Sequence, residues 1–399
     1  MVNILSERYD PYKKIGLKSV VNAATSLTLL GGSMPKAEIF EAMQDASKGF
    51  IVIPKLQKRV GELLAEMFGA EAGLPTAGAV NALMLAVAAC MFKGTELENY
   101  DPVGGSPWVE IIQRLPLNTD GLKTEFIILG TSRSTYDHAI ACVGGIRVQA
   151  GDKNGVTAQD LKDAFDPDRT AALYYTQTPS ADISIKDFCD VAHGLGVPAI
   201  IDAAPNLTHA SIPSAVLEAG ADLVILSGGK QLGSINNTGI LLGRKDLIKL
   251  AHLNSYPFDG IGRGAKMSRE MIMGLLKAVE LFIEDDRDAY YSEMLGESEK
   301  LAARLDAIDG IVSGTLNEPS LDESVVPPSY IWVEMDTDRI TLRELFDGLM
   351  NGDPMIMPLY EPYFLSTEVE NRVTFKVEYL SPGDDDLIVE RVKALVEDI

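Results

Sequence analysis

The sequence predicts an α/β protein, a mostly parallel sheet covered by helices on both faces and followed by a smaller α+β domain. Three observations carry that prediction. Strand-length apolar runs alternate with helical segments between about residues 69 and 250, and alternation at that spacing builds a parallel sheet. Two of the strands run into functional side chains: Val197–Asp202 ends in a carboxylate, and Ala221–Leu226 leads into Ser227-Gly228-Gly229-Lys230. Past about residue 290 the helices and strands fall into separate runs, which reads as an α+β layer.

The elements follow in chain order. Val20–Thr25 reads as a short strand or loop, and Leu29–Pro35 turns into a helix, with Pro35 suited to a helix start. Leu56–Phe68 has helical periodicity. Thr76-Ala77-Gly78-Ala79 then leads into a helix of small residues reaching about Cys90. Residues 95–123, with Gly104-Gly105-Ser106-Pro107-Trp108, read as an exposed excursion. Strands are expected at 126–130, 145–149, 171–176, 200–202 and 224–227, and an antiparallel return at 239–244. Helices are expected at 157–165 (N-cap Thr157), 185–195, 212–218, 245–250 and 267–283. The remainder predicts a helix at 294–307, strands near 330–333, 355–357 and 372–377, and a closing helix at 387–396. The expected domains are an arm over 1–45 that joins the small domain, a large domain over 46–260, a linker helix within 261–289 and a small domain over 290–399. A chain of 399 residues, 46% hydrophobic, is long enough for two cores.

Composition narrows the function. The net charge is −23, with 58 acidic against 35 basic residues. That balance opposes nucleic-acid binding, which needs clustered Lys and Arg. Cys90, Cys142 and Cys189 show no CxxC spacing and His138, His193, His209 and His252 are scattered, so neither disulfides nor a metal site is expected. The N-terminal residues carry no signal-peptide pattern, and the apolar runs are broken before membrane-spanning length. A cytoplasmic protein is expected.

The chemistry centres on Lys230 and Asp202. A lysine that forms an imine must have a neutral amine, which burial favours. A carboxylate at the end of a neighbouring strand can keep a pyridine nitrogen protonated, so that the ring accepts electrons. Together they suit pyridoxal 5'-phosphate. The Thr76–Ala79 turn offers backbone N–H groups and a helix dipole to a phosphate, although close helix packing through Ala and Gly leaves the same pattern. Ser227 could reach the same phosphate. Asn22 and Thr25 beside glycines could line a ligand site, or simply form a turn. Arg133 and Tyr136 follow a strand's carboxyl end, where open α/β sheets bind ligands. Arg263, Lys266 and Arg372 are candidate cations for a substrate carboxylate or phosphate, although each alone reads more often as a solvated surface charge.

These stretches resemble the fold-type-I pyridoxal-phosphate enzymes, in particular the group around bacterial selenocysteine synthase and D-glucosaminate-6-phosphate ammonia-lyase. The matching residues are Val21–Thr25 with Leu30–Ser33, Glu71–Leu83, Arg133 with Tyr136–Ala139, Val197–Ala204, Ser227–Lys230 and Gly262–Lys266. The resemblance implies a seven-stranded-type sheet, Lys230 as the imine lysine and Asp202 on the ring nitrogen. It further implies a phosphate held by Ala77, Gly78, Ala79 and Ser227 with Thr76 beside them, and Ser132 and Tyr136 near the cofactor. Ser132 stands where these relatives tend to carry a histidine, and the loop Gly233–Thr238 departs from their Gly-Gly-Pro-Gln. That loop is expected near a subunit interface of a homodimer or larger homo-oligomer.

The expected function is a lyase that eliminates a β-substituent or ammonia from an amino acid or amino-sugar acid. Selenium transfer, aminotransferase, racemase and retro-aldol chemistry would use the same core residues. A non-catalytic scaffold would not need both Asp202 and Lys230. No nucleic-acid or membrane partner is expected.

Overall fold

The structure is a computed structural model that describes residues 11–101, 103, 109–132, 135–177, 182–318, 324–361 and 371–397. The chain divides into two units. The larger spans Gly31–Asp285, and the smaller joins the described residues up to Leu30 with those from Asp286 onward.

The smaller unit begins with strand β1 (Val21–Asn22). The larger unit then runs α1 (Ala37–Ser47), α2 (Ile53–Phe68), β2 (Ala72–Thr76), α3 (Ala79–Phe92), β3 (Glu125–Leu129), α4 (His138–Cys142) and β4 (Ile146–Ala150). It continues through α5 (Ala158–Asp163), β5 (Thr170–Thr176), α6 (Ile185–Gly194), β6 (Ala199–Asp202), α7 (Ser211–Glu218), β7 (Leu223–Ser227), β8 (Gly239–Gly243), α8 (Lys245–Asn254) and α9 (Arg269–Glu284). Its seven strands lie in the order β2-β8-β7-β6-β5-β3-β4. Only β8 runs against its neighbours, so the carboxyl ends of the other six strands share one edge. This is the fold class that the alternating pattern predicts.

The sheet is buried on both faces, as its near-continuous apolar strands require. Leu173, Tyr175, Ile201, Val224 and Leu226 pack with α2, α6, α7 and α9 on one face. Tyr174, Ile200, Leu223 and Ile225 pack with α3, α4 and α8 on the other. Helix α3 sits between the sheet and α8, and its run Leu85–Phe92 is buried on every side. Helix α5 starts at a capping box: Asp160 N–H donates to Thr157 Oγ1 at 3.2 Å, and Thr157 N–H donates to Asp160 Oδ2 at 2.8 Å.

The smaller unit adds α10 (Arg287–Asp306), β9 (Ile311–Asn317), β10 (Ser329–Met335), α11 (Leu342–Met350), β11 (Ile356–Met357), β12 (Leu359–Glu361), β13 (Arg372–Phe375) and α12 (Asp384–Glu397). Strands β12-β13-β10-β9 form an antiparallel sheet, and β1 pairs in parallel with β11. Leu301, Leu305, Leu345, Leu349, Ile388 and Val392 from the three helices cover Ile331, Val333, Val373 and Phe375.

Two boundaries differ from the sequence expectation. The arm placed at 1–45 is split, because α1 belongs to the larger unit. The expected linker helix is α9, and it packs within that unit. Ile272, Leu275, Leu276, Val279 and Phe282 join its core, and Gly274 lies so close to α1 that a Cβ would sit 2.8 Å from Met43. Strand β9 was hidden in the sequence by Gly314, which lies under the Trp332 ring.

Candidate active site

Strand register sets the site. Thr76 on β2 and Ser227 on β7 are both paired with Gly239 on β8. Asp202 is paired with Ile225 on β7 and with Thr176 on β5. Directly paired residues point to the same face. Thr76, Thr176, Asp202 and Ser227 therefore share the face that α3 covers, at the edge where the parallel strands end.

The Ser-Gly-Gly sequence before Lys230 has a steric cause. The loop 234–238 folds back over it: Gly228 N–H donates to the Thr238 carbonyl at 2.8 Å and Ser234 N–H to the Gly228 carbonyl at 2.8 Å. A Cβ on Gly228 would meet Thr238 Oγ1 at 2.1 Å, and one on Gly229 would meet Asn236 Cα at 2.5 Å. Ser33 fastens the loop from outside, donating its N–H to the Gly229 carbonyl at 2.9 Å and its hydroxyl to the Ser234 carbonyl at 2.8 Å. Ser234 and Thr238 are fully buried. Lys230 emerges from this turn half-buried. Burial lowers its pKa below the ordinary lysine value, and the charge of Asp202 partly opposes the shift.

Asp202 is buried, which raises its pKa, while the Ala204 amide, Lys230 and Tyr174 pull it back down. Its Oδ1 accepts from Ala204 N–H at 3.0 Å and its Oδ2 from the Tyr174 hydroxyl at 3.1 Å. Asp137, also buried, pushes the same carboxyl upward.

At the start of α3, Gly78 has φ of 90° with open space where a Cβ would stand. Gly239 must be glycine because Gly78 crosses it, with the Gly78 carbonyl carbon 2.5 Å from its Cβ position. Asn81 Oδ1 accepts from Ala77 N–H at 3.4 Å, and its buried Nδ2 has no partner among the described residues. Thr76, Ala77, Gly78 and Ala79 thus form one turn at a helix N-terminus, with Ser227 two strands away.

The other candidates are placed differently. The Ser132 hydroxyl donates to the Thr176 carbonyl, so it ties two strand ends together at the edge where the parallel strands end. Tyr136 is half-exposed on a short 3-10 helix. Arg133 lies outside the described residues, as do Gly104–Trp108. Arg263 is half-exposed, 3.9 Å from Asp259 and 5.4 Å from the centre of the Tyr256 ring. Lys266 is exposed on the same loop. Asn22, Thr25 and Arg372 belong to the smaller unit. The Asn22 side chain closes its own turn, donating to the Thr25 carbonyl at 2.9 Å and accepting from Ala24 N–H at 3.0 Å. The Thr25 hydroxyl bonds Glu378. Arg372 is paired with Glu334 across the sheet and lies 4.6 Å over the Trp332 ring, so its guanidinium is already committed.

One residue escaped the sequence reading. Gln177 follows β5, is 2% exposed, and among the described residues has no hydrogen-bond partner at either end of its side-chain amide. Its N–H donates to the Asp202 carbonyl at 3.0 Å, which places it beside the catalytic edge. A buried amide without partners costs about 1–3 kcal/mol, a cost that a ligand can offset.

The residues fit pyridoxal 5'-phosphate: an amine of lowered pKa, a buried carboxylate on the next strand, a helix N-terminus with an open glycine, and an orphaned amide. The chain is a pyridoxal-phosphate-dependent enzyme of fold type I. It is 29% identical to a 5'-C-glycyluridine monooxygenase-decarboxylase of Streptomyces sp, over 97% of this chain and 92% of that protein. It is 28% identical to the D-glucosaminate-6-phosphate ammonia lyase of Salmonella typhimurium, over 73% of this chain and 75% of that one. A solved D-glucosaminate-6-phosphate ammonia-lyase superposes with a TM-score of 0.77 at 25% identity, covering 98% of this chain and 99% of its own. A serine palmitoyltransferase of Sphingomonas wittichii, 11% identical, shares the fold at a TM-score of 0.58 over 94% of this chain and 87% of that one. No family model matches the sequence.

Proposed function

We propose that the protein is a pyridoxal-phosphate-dependent lyase that acts on an amino acid or amino-sugar acid carrying a leaving group on its β-carbon: the α-proton and the β-substituent are eliminated, and water hydrolyses the resulting enamine to ammonia and a 2-keto acid. The observation that carries this reading is the pairing of Lys230, its pKa lowered by burial, with the buried carboxylate of Asp202. The likeness to the ammonia lyase supports it.

Bound pyridoxal phosphate supplies an electron sink for the bond broken at the substrate's α-carbon. The residues of the chain do the rest. Lys230 tethers the cofactor and, once its amine is neutral and free, takes the α-proton. Asp202 holds the ring nitrogen's proton. The Ala77, Gly78 and Ala79 amides with the Thr76 and Ser227 hydroxyls take the phosphate, and Gln177 offers its amide to a polar atom of the ligand. Arg263 and Lys266 are the cations of the larger unit suited to a substrate carboxylate or phosphate, and Arg133 joins them by resemblance. A homodimer or larger homo-oligomer in the cytoplasm is part of the reading, with no nucleic-acid partner in view of the charge of −23. Among the described residues no helix is long and apolar enough to cross a membrane, and no group of three His, Cys, Asp or Glu side chains could hold a metal ion.

The longer match to the monooxygenase-decarboxylase supports a second reading, oxygen-dependent loss of an amino acid's carboxylate. One experiment separates the two. Purified holoenzyme is given a panel of amino acids and amino-sugar acids, and ammonia, keto acid, carbon dioxide and oxygen uptake are followed. Ammonia and keto acid without oxygen uptake are expected. Oxygen uptake with carbon dioxide release would replace the first reading by the second, and full turnover by Lys230→Ala would sink both.

A further inference from the structure

Asp202 is held through a chain of two hydroxyls. Thr176 Oγ1 donates to the Tyr174 hydroxyl at 3.1 Å, and that hydroxyl lies 3.1 Å from Asp202 Oδ2. Tyr174 is 1% exposed and Thr176 is 4% exposed, so water does not compete for either. A carboxylate only accepts, and a phenol has one proton to give. The proton of Tyr174 therefore belongs to Asp202, and the proton of Thr176 fills the lone pair of Tyr174. Register holds the chain together: Thr176 is paired with Asp202, and Tyr174 lies two residues earlier on the same face.

The carboxylate needs this support. Burial and the neighbouring Asp137 both favour its neutral form, and a neutral carboxyl would no longer be the anionic partner that a protonated ring nitrogen requires. The opposing groups are the Ala204 amide, Lys230 and Tyr174. Lys230 is the group that the proposed chemistry engages elsewhere, which leaves the amide and the phenol as the permanent ones. Burial and the charge of Asp202 also hold the Tyr174 hydroxyl protonated, so it stays a donor.

We infer that Tyr174 is a positioning residue for the cofactor's ring nitrogen, keeping the Asp202 carboxylate charged and fixed in orientation. The inference rests on the reading of Asp202 as the partner of that nitrogen. Its test compares two ligands, pyridoxal phosphate and the carbocyclic analogue in which the ring nitrogen is replaced by C–H. Dissociation constants are measured by absorbance and fluorescence for the wild type, Tyr174→Phe and Thr176→Val, with thermal unfolding to check the fold. Tyr174→Phe is expected to weaken pyridoxal phosphate by about 10- to 100-fold, the worth of a hydrogen bond to a charged acceptor. The analogue is expected to change by less than about twofold. Thr176→Val, nearly isosteric, is expected to show the same selectivity at smaller size, and it carries the test if Tyr174→Phe does not fold. Equal losses for both ligands would mean a merely structural tyrosine, and no loss for either would mean an idle one; each overturns the inference. Wild-type protein that binds neither ligand would overturn the cofactor reading itself.

Discussion

Thr76 and Ser227 face one another across a single glycine. Each is paired with Gly239, one from β2 and one from β7, so their hydroxyls stand two strand spacings apart, about 10 Å, on the face that α3 covers. The turn of Gly78 over Gly239 fills the gap between them with backbone.

Replacing the two strand-end residues separates tethering from electronics. Lys230→Ala should lose the cofactor adduct trapped by borohydride in the wild type and lower turnover by at least about a hundredfold, the scale of a lost general base. Asp202→Asn should keep the trapped adduct and still lose about 100- to 1,000-fold in turnover, since it removes one preorganised charge. Mass spectrometry of the reduced protein, beside kcat, reads both.

Gln177→Met should stabilise the cofactor-free protein and weaken the loaded one. Its amide is buried with neither end bonded among the described residues, so an apolar side chain of similar length should add about 1–3 kcal/mol to unfolding in denaturant. Cofactor or substrate affinity should fall at least about tenfold, by titration. A variant that loses stability and keeps affinity would remove Gln177 from the site.

Gly229→Ala should displace the lysine rather than remove it. The new methyl group would stand 2.5 Å from Asn236 Cα and 2.8 Å from both the Asn236 carbonyl oxygen and its Oδ1. Overpacking of this kind costs about 1–3 kcal/mol. Turnover should drop while borohydride still traps a residual adduct, and the denaturant midpoint should fall with it.

His252 makes stability depend on acidity. It is buried against Gln57, with Nε2 3.2 Å from Oε1, and burial with the charge of Lys58 pushes its pKa from 6.5 down to about 4, against the pull of Asp101. The unfolded chain holds the proton below about pH 6.5, and the folded chain refuses it until about pH 4. Stability from this group is therefore full above pH 6.5 and is lost as pH falls toward 4, by about 3 kcal/mol in all. His252→Gln should flatten that part of the curve in urea titrations between pH 7 and 4.

The residues differ in how plainly the sequence announced them. Asp202 and Lys230 were legible because each closes or follows an apolar run, and the end of a parallel strand is where a side chain meets a crevice. Thr76–Ala79 was legible as small residues opening a helix. Gln177 was not, since a glutamine beside Thr178-Pro179 reads as an ordinary loop residue, and only the fold takes water away from it. Arg372 read as a cation for substrate because nothing along the chain reveals that β13 and β10 set it across from Glu334. Asn22 read as either a ligand contact or a turn, and its side chain closes its own turn. Ser132 followed the position of a histidine in the relatives, but a hydroxyl so close to Thr176 is drawn to the carbonyl there. What stayed hidden in each case was a cross-strand or long-range partner, which periodicity does not encode.

The lone reversed strand, β8, has a further consequence. Because it runs back beside β7, the connection that carries Lys230 must turn around within residues 228–238, and the same residues then set the register of β8 against β2. The placement of Lys230 and that of the Thr76–Ala79 turn are thus set by one connection. An insertion in that connection would slip Gly239 away from both Thr76 and Ser227.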